Sequence, residues 1–175
     1  IQEENNSERN NQRQTIEPSN YKNYSPDCQI DTDLELLIPV GYVENTAERI
    51  RLYRELDNIK DDEALQIFEK ELMDRFGPIP DETIELFVAV KMRWLAQRLG
   101  LTKIILKNGK MFCYFLADGS SAYFNSPTFS GILSYVNQFP KKCQLSEQKE
   151  KLLLKIDPVK SIHSAFETLS KMINI

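Results

Sequence analysis

Residues 69–82, EKELMDRFGPIPDE, constrain the fold of this chain more than any other stretch. A charged amphipathic helix runs into Arg75 and Phe76 and must stop at Gly77, where the missing Cβ makes a left-handed C′ conformation accessible. Pro78 and Pro80 forbid continuation of the helix. Asp81 and Glu82 then place negative charge at the start of the next helix, where free N–H groups and the helix dipole favour it. The spacing predicts a rigid helix–loop–helix corner. Its structural residues are Arg75, Phe76, Gly77, Pro78 and Pro80, and acidic side chains flank it on both sides.

The elements around this corner follow from periodicity. Residues 34–38, LELLI, read as a short strand ended by Pro39 and Gly41. Asn45 and Glu48 have capping-box spacing, and Leu52, Leu56 and Ile59 then share one face of a first helix. After a break at Lys60–Asp62, Leu65, Phe68, Leu72 and Phe76 form a narrow apolar stripe on a second helix. A third runs from near Pro80 to Leu99 and ends at Gly100. Its apolar residues span a wide arc, which predicts a central helix buried on more than one side.

The period then changes to two. Residues 102–107, 111–117 and 121–125 read as strands, with Asn108–Gly109 and Asp118–Gly119 as two-residue hairpin turns. A helix is expected over 129–138, a strand over 151–156 and a final helix opened by Pro158. The expected fold is α+β: an N-terminal helical part of about three helices, packed with a small, mainly antiparallel sheet and two further helices.

Residues 1–31 are rich in Asn, Gln, Ser and Glu, with scattered apolar positions, and read as a disordered polar linker. One domain is expected over 32–175. The chain opens at Ile1 rather than Met, so it is expected to be part of a longer protein. No apolar run approaches the ~18 residues of a membrane span, and no signal-peptide pattern is present. Cys28, Cys113 and Cys143 are widely spaced and form no CxxC, which points to a reduced, cytoplasmic setting.

Catalytic signatures are missing from the sequence. There is no P-loop and no GxGxxG. His163 is the sole histidine, without an HxxxH or HExxH partner, and the cysteines lie too far apart in sequence to suggest zinc. A pairing of Cys113 with His163 across the fold is conceivable, but Cys113 alternates with apolar residues and reads as a buried thiol. Glu69, Glu71, Asp74, Asp81, Glu82 and Glu85 cluster around the corner. Hydrolysis would need a low-dielectric pocket to separate two carboxyl pKa values, and an exposed helix does not supply one. No catalytic, cofactor-binding or metal-binding residue is therefore assigned, and no small-molecule substrate.

The net charge of −4 conceals a split. Residues 33–86 hold 15 acidic against 6 basic side chains, and residues 87–175 hold 5 against 13, so the front is about −9 and the back about +8. Either the halves face each other, or each faces a different partner, or they are two solvated surfaces that happen to differ. In the back half, lysines across 103–155 lie near Phe112, Tyr114 and Tyr123, a combination that suits single-stranded nucleic acid. Against this, arginine is nearly absent there and the aromatics sit in a run apolar enough to be core. In the front half, at 100° per residue, Glu71 and Asp74 lie off the apolar stripe of the second helix and neighbour one another. Ile67 falls between them in angle. Two carboxylates around one aliphatic group suit a docking patch for an arginine-bearing partner; they equally suit a solvated helix face with one stray isoleucine.

ELLIP (35–39), ERIRLYREL (48–56), ELMDRFGPIPDE (71–82) and LAQRLGLTKI (95–104) also stand in an order and spacing that resemble one family. That family is the C-terminal domain of bacterial transcription-repair coupling factors, Mfd. The resemblance is strong over Asp33–Lys103 and weaker to the C-terminus. It implies a piece of a DNA translocase that displaces stalled RNA polymerase and recruits the excision-repair protein UvrA. Its ATP and Mg would belong to a motor upstream, leaving this fragment non-enzymatic and without a cofactor of its own. It implies a regulatory domain that docks on a UvrB-like N-terminal module, with Glu71 and Asp74 at acidic family positions of that contact and residues 1–31 as the connection from the motor. The other reading is a nucleic-acid-binding module using the lysine-rich sheet.

Overall fold

The computed structural model describes residues 22–116 and 121–173. The elements are β1 (Gln29–Thr32), α1 (Thr46–Asn58), α2 (Asp62–Phe76), α3 (Asp81–Leu99), β2 (Leu101–Lys107), β3 (Lys110–Phe115), α4 (Ser121–Phe124), α5 (Pro127–Gln138), β4 (Cys143–Gln148), β5 (Lys151–Ile156) and α6 (Ile162–Ile173). The fold is α+β, as expected. The strands form one mixed sheet of order β1-β2-β3-β5-β4, in which only the β1–β2 pairing is parallel.

Helix boundaries follow local chemistry. Asn45 caps α1 by accepting from the Glu48 N–H at 2.9 Å. The Glu48 carboxylate does not reach back to complete the expected box; it binds two arginines instead. Asp61 caps α2 through the Ala64 N–H at 2.8 Å. Pro127 follows the cap Ser126 at the start of α5. The last helix begins at Ile162 rather than at Pro158, because Ser161 and Ser164 cap it reciprocally, each side chain accepting from the other's N–H at 3.0 and 3.2 Å.

Helix α3 has apolar side chains on two sides and belongs to two cores. Its first half gives Phe87 to a small core with Leu52, Leu56, Leu65, Phe68 and Leu72 of α1 and α2. Its second half gives Met92, Leu95, Ala96 and Leu99 to a larger core against the inner face of the sheet, α5 and α6. On that inner face stand Ile104 and Leu106 of β2, Met111, Cys113 and Phe115 of β3, and Leu154 and Ile156 of β5.

Several expectations need correction. LELLI is not a strand. Its backbone is held by side chains: the Ile38 N–H donates to the Tyr53 hydroxyl at 2.7 Å, and the Thr83 hydroxyl donates to the Leu37 carbonyl at 2.9 Å. Residues 121–125 are not a strand either. Ser121–Phe124 is one helical turn that drives Tyr123 into the main core, where its ring meets Tyr24, Phe115, Phe124 and Phe129. Residues 22–31, grouped by composition with the linker, pack on the domain: Ser25 and Cys28 are buried, and Gln29–Thr32 pairs with β2. Strand β4, CQLSEQ, was not anticipated at all. The expected turn at Asp118–Gly119 lies outside the described residues, as do residues 1–21.

Two predictions follow from packing. Gly100 ends α3 at φ +78°, and a Cβ there would sit 2.5 Å from the Tyr123 ring, whose hydroxyl donates to the Leu99 carbonyl. Gly100→Ala combines left-handed strain with overpacking and should destabilise by about 1–3 kcal/mol or more, read from the denaturant midpoint. Cys28, Cys113 and Cys143 are at most 4% exposed, and burial, with Asp27 nearby, pushes the Cys28 thiol up to about 12. A thiol-specific disulfide reagent at pH 8 should leave all three unlabelled in the native protein and label them on unfolding; rapid native labelling would contradict the packing.

Candidate functional site

The corner between α2 and α3 forms as the sequence predicts, with one difference at its turn. Gly77 has φ +85° and ψ −162°, an extended conformation with positive φ that is essentially confined to glycine, instead of the expected left-handed helical one. Nothing lies within 4 Å of where a Cβ would stand, so the requirement for glycine there comes from the backbone alone. Pro80 occupies the cap position of α3 without a side-chain hydrogen bond, and its carbonyl accepts from the Thr83 N–H at 3.0 Å.

Side chains from the preceding segment lock this turn. The Tyr42 hydroxyl lies 2.9 Å from the Gly77 carbonyl and 3.2 Å from that of Leu72, donating to one at a time, and its ring meets Phe76 edge-on. Arg75 lies 4.7 Å over the Phe76 ring and pairs with Glu48 of α1. Arg51 also binds Glu48, donating at 2.8 and 3.1 Å. Two guanidinium groups on one carboxylate, Arg51 first and then Arg75, pull the Glu48 pKa from 4.5 down to about 2. Tyr42 and Glu48 therefore support the corner, a role the sequence does not assign to them: Tyr42 carries no periodic signal, and Glu48 reads as a capping residue.

On the outward side of α2, opposite the buried Leu65, Phe68 and Leu72, stand Ile67, Glu71 and Asp74. Ile67 is 56% exposed, so it is not absorbed by the core. Glu71 and Asp74 are both exposed, and neither has an ion-pair partner among the described residues. Lys70 is placed i,i+4 to Asp74 yet makes no pair with it. Arg51 feels the field of Glu71, but its contacts go to Glu48 and to Glu55 at 3.5 Å. The α1–α2 surface thus sets Glu48, Glu55, Glu71 and Asp74 against Arg51 and Arg75.

Other candidates are separated by the fold. Cys113 is buried in the sheet, whereas His163 is exposed on α6, so the two do not pair. Among the described residues no three His, Cys, Asp or Glu side chains are grouped to hold a metal ion, and no helix is long and apolar enough to cross a membrane. Tyr123 is core, but Phe112 and Tyr114 are not. They alternate with Met111, Cys113 and Phe115 and stand half-buried on the outer face of the sheet.

The architecture defines a small α+β domain: a helical corner set on one side of a mixed sheet. The TRCF domain family profile matches residues 32–125, more than half of the chain, and the chain belongs to that family. The transcription-repair-coupling factor of Rickettsia bellii is 25% identical over 126 residues, 72% of this chain and 11% of that protein. Those of Borreliella burgdorferi and Escherichia coli are 34% identical over 71 residues and 28% over 88, covering 41% and 50% of this chain and 6% and 8% of their own lengths. The chain thus spans about a tenth of these relatives. A crystal structure of the C-terminal domain of transcription-repair coupling factor shares the fold, with a TM-score of 0.67, 16% identity, and coverage of 84% of this chain and 89% of that one.

The shared carboxylate gives a direct test of the corner. The folded-state pKa of Glu48 lies below its unfolded value of 4.5, so the stabilisation it contributes is complete above the ordinary glutamate range and disappears as pH falls through about 2. Side-chain carboxyl NMR should give a Glu48 midpoint near 2. Arg75→Met should raise that midpoint while leaving the domain folded. A wild-type midpoint near 4.5 would mean that the Arg51–Glu48–Arg75 bridge does not form in solution.

Proposed function

We propose that this domain is a non-catalytic, autoinhibitory docking element of a transcription-repair coupling factor. The reading rests on one observation: Ile67, Glu71 and Asp74 share the outward side of α2, with the aliphatic group exposed and neither carboxylate in an ion pair among the described residues. Such a patch fits a cationic surface with an apolar centre. We assign that surface to a UvrB-like N-terminal module of the same polypeptide. Docking there covers the surface that recruits UvrA and restrains the DNA translocase until stalled RNA polymerase engages it.

The energetics suit a reversible clamp. Exposed ion pairs contribute only about 0.2–1 kcal/mol each, and breaking a desolvated, hydrogen-bonded pair costs about 2–5 kcal/mol. A tether supplies effective concentrations of roughly mM for short flexible linkers, so weak contacts suffice to close the assembly and still allow release. The regulatory domain, expected over residues 32–175, also takes in the segment 22–31 that packs on it, and the tether is the connection from the motor that precedes it. The domain uses no cofactor of its own; ATP and Mg serve the upstream motor, and three buried free thiols fit a reducing cytoplasm.

The test is the full-length protein carrying Glu71→Ala and Asp74→Ala together. Alanine preserves helix propensity, so the domain stays folded. Loss of two rim pairs at about 0.2–1 kcal/mol each should raise basal ATPase and UvrA affinity between about twofold and thirtyfold. Unchanged activity and unchanged UvrA binding in this double variant would remove the reading.

A further inference from the structure

The outer face of the sheet carries a feature that the docking corner does not use. Register sets its side chains in two rows. One runs Gln29, Lys103, Tyr114, Leu153 and Ser146 across the strands; the next runs Asp31, Ile105, Phe112, Lys155 and Gln144. Tyr114 and Phe112 therefore sit two residues apart on the middle strand, about 7 Å along it. Each has a lysine beside it in its own row, Lys103 from one neighbouring strand and Lys155 from the other. Both aromatics are half-buried, and the inner-face core does not include them.

The charge on this face is uneven. Lys107 is taken by Asp31 at 2.9 Å and Lys110 by Asp157 at 3.6 Å. Lys103, Lys151 and Lys155 have no ion-pair partner among the described residues. The face thus offers two aromatic surfaces at its centre with uncompensated positive charge on either side.

We propose that this sheet face binds single-stranded DNA, stacking bases on Tyr114 and Phe112 and neutralising phosphates with Lys103, Lys151 and Lys155. An aromatic face accepts the π-surface of any base, and lysine acts as a point charge that follows a flexible backbone without a fixed geometry. Among the described residues no arginine stands in these rows, which argues against bidentate reading of base edges, so binding is indifferent to sequence. A duplex hides its base faces inside the stack and offers this surface phosphates alone. The surface is separate from α2, so failure here leaves the docking reading intact.

The experiment is fluorescence anisotropy of a labelled twelve-nucleotide thymidine oligomer with the full 175-residue chain at 50 and 200 mM salt. Three neutralised phosphates predict a log–log slope of about −2, a weakening of roughly twentyfold over that range. Lys103→Gln with Lys155→Gln, both at the protein surface, should bring the slope to about −0.7. Tyr114→Leu keeps apolar bulk and charge; it should weaken binding by roughly fivefold or more at an unchanged slope. No binding at 50 mM salt, equal binding by the lysine double variant, equal or tighter binding of a duplex of the same length, or binding of a uridine oligomer alone would each overturn the assignment.

Discussion

Everything in this domain hangs on α3 being apolar on two sides. One helix supplies Phe87 to the core under α1 and α2, and Met92, Leu95, Ala96 and Leu99 to the core under the sheet. Fully burying one side chain of this size is worth about 1.5–3 kcal/mol, so each half of the helix anchors its own layer. Neither layer can shift without exposing part of α3. The chain then turns sharply at both ends of the helix, through Gly77 at one end and Gly100 at the other, and both have positive φ. The helix is thus a fixed beam between two glycine corners, and the orientation of α2 is set by how α1 and α2 clamp onto its first turns.

That clamp explains why the acidic face of α2 is presented in one orientation. Tyr42 ties the end of α2 to the preceding segment, and Arg75 ties it to Glu48 on α1. Cations on α3 complete the arrangement: Lys91 pairs with Asp62 at 2.6 Å and Arg93 with Asp57 at 2.7 Å. None of these contacts consumes Glu71 or Asp74. Glu48, Asp57 and Asp62 are spent on holding the helices together, and Glu71 and Asp74 on the outer side of α2 make no such pair.

How much of this was legible depended on where the restraining groups came from. The first three helices could be read because their signals are local: Asn45 as a cap, the break at Lys60–Asp62, Gly77 and Gly100 as stops, and apolar stripes between them. The hairpin at Asn108–Gly109 was legible for the same reason, both residues adopting positive φ. LELLI was misread because its apolar run looks like a strand, while its hydrogen-bond partners are Tyr53 and Thr83, 15 and 46 residues away. Residues 29–32 and 143–148 were missed because β1 and β4 are edge strands with largely polar side chains and no alternation strong enough to announce them. Tyr123 looked like sheet and became core because the turn of α4 aims it inward. At the corner, the outward placement of Ile67, Glu71 and Asp74 was readable from helical geometry alone, whereas the Tyr42 and Glu48 contacts that hold it needed the tertiary structure.

The division of charge along the chain posed a choice between halves that face each other and halves that face outward, and the structure resolves it by position. Where the two halves meet, opposite charges do pair: Lys91 and Arg93 from the basic half meet Asp62 and Asp57 from the acidic half. Lys107, in β2, reaches Asp31, just before the acidic half, by the same logic. These contacts account for only a few of the charges. Others are sorted by layer: Lys103, Lys151 and Lys155 stand on the outer face of the sheet, and Glu71 and Asp74 stand on the outward side of α2. One domain thus carries an anionic face on α2 and a cationic face on the sheet.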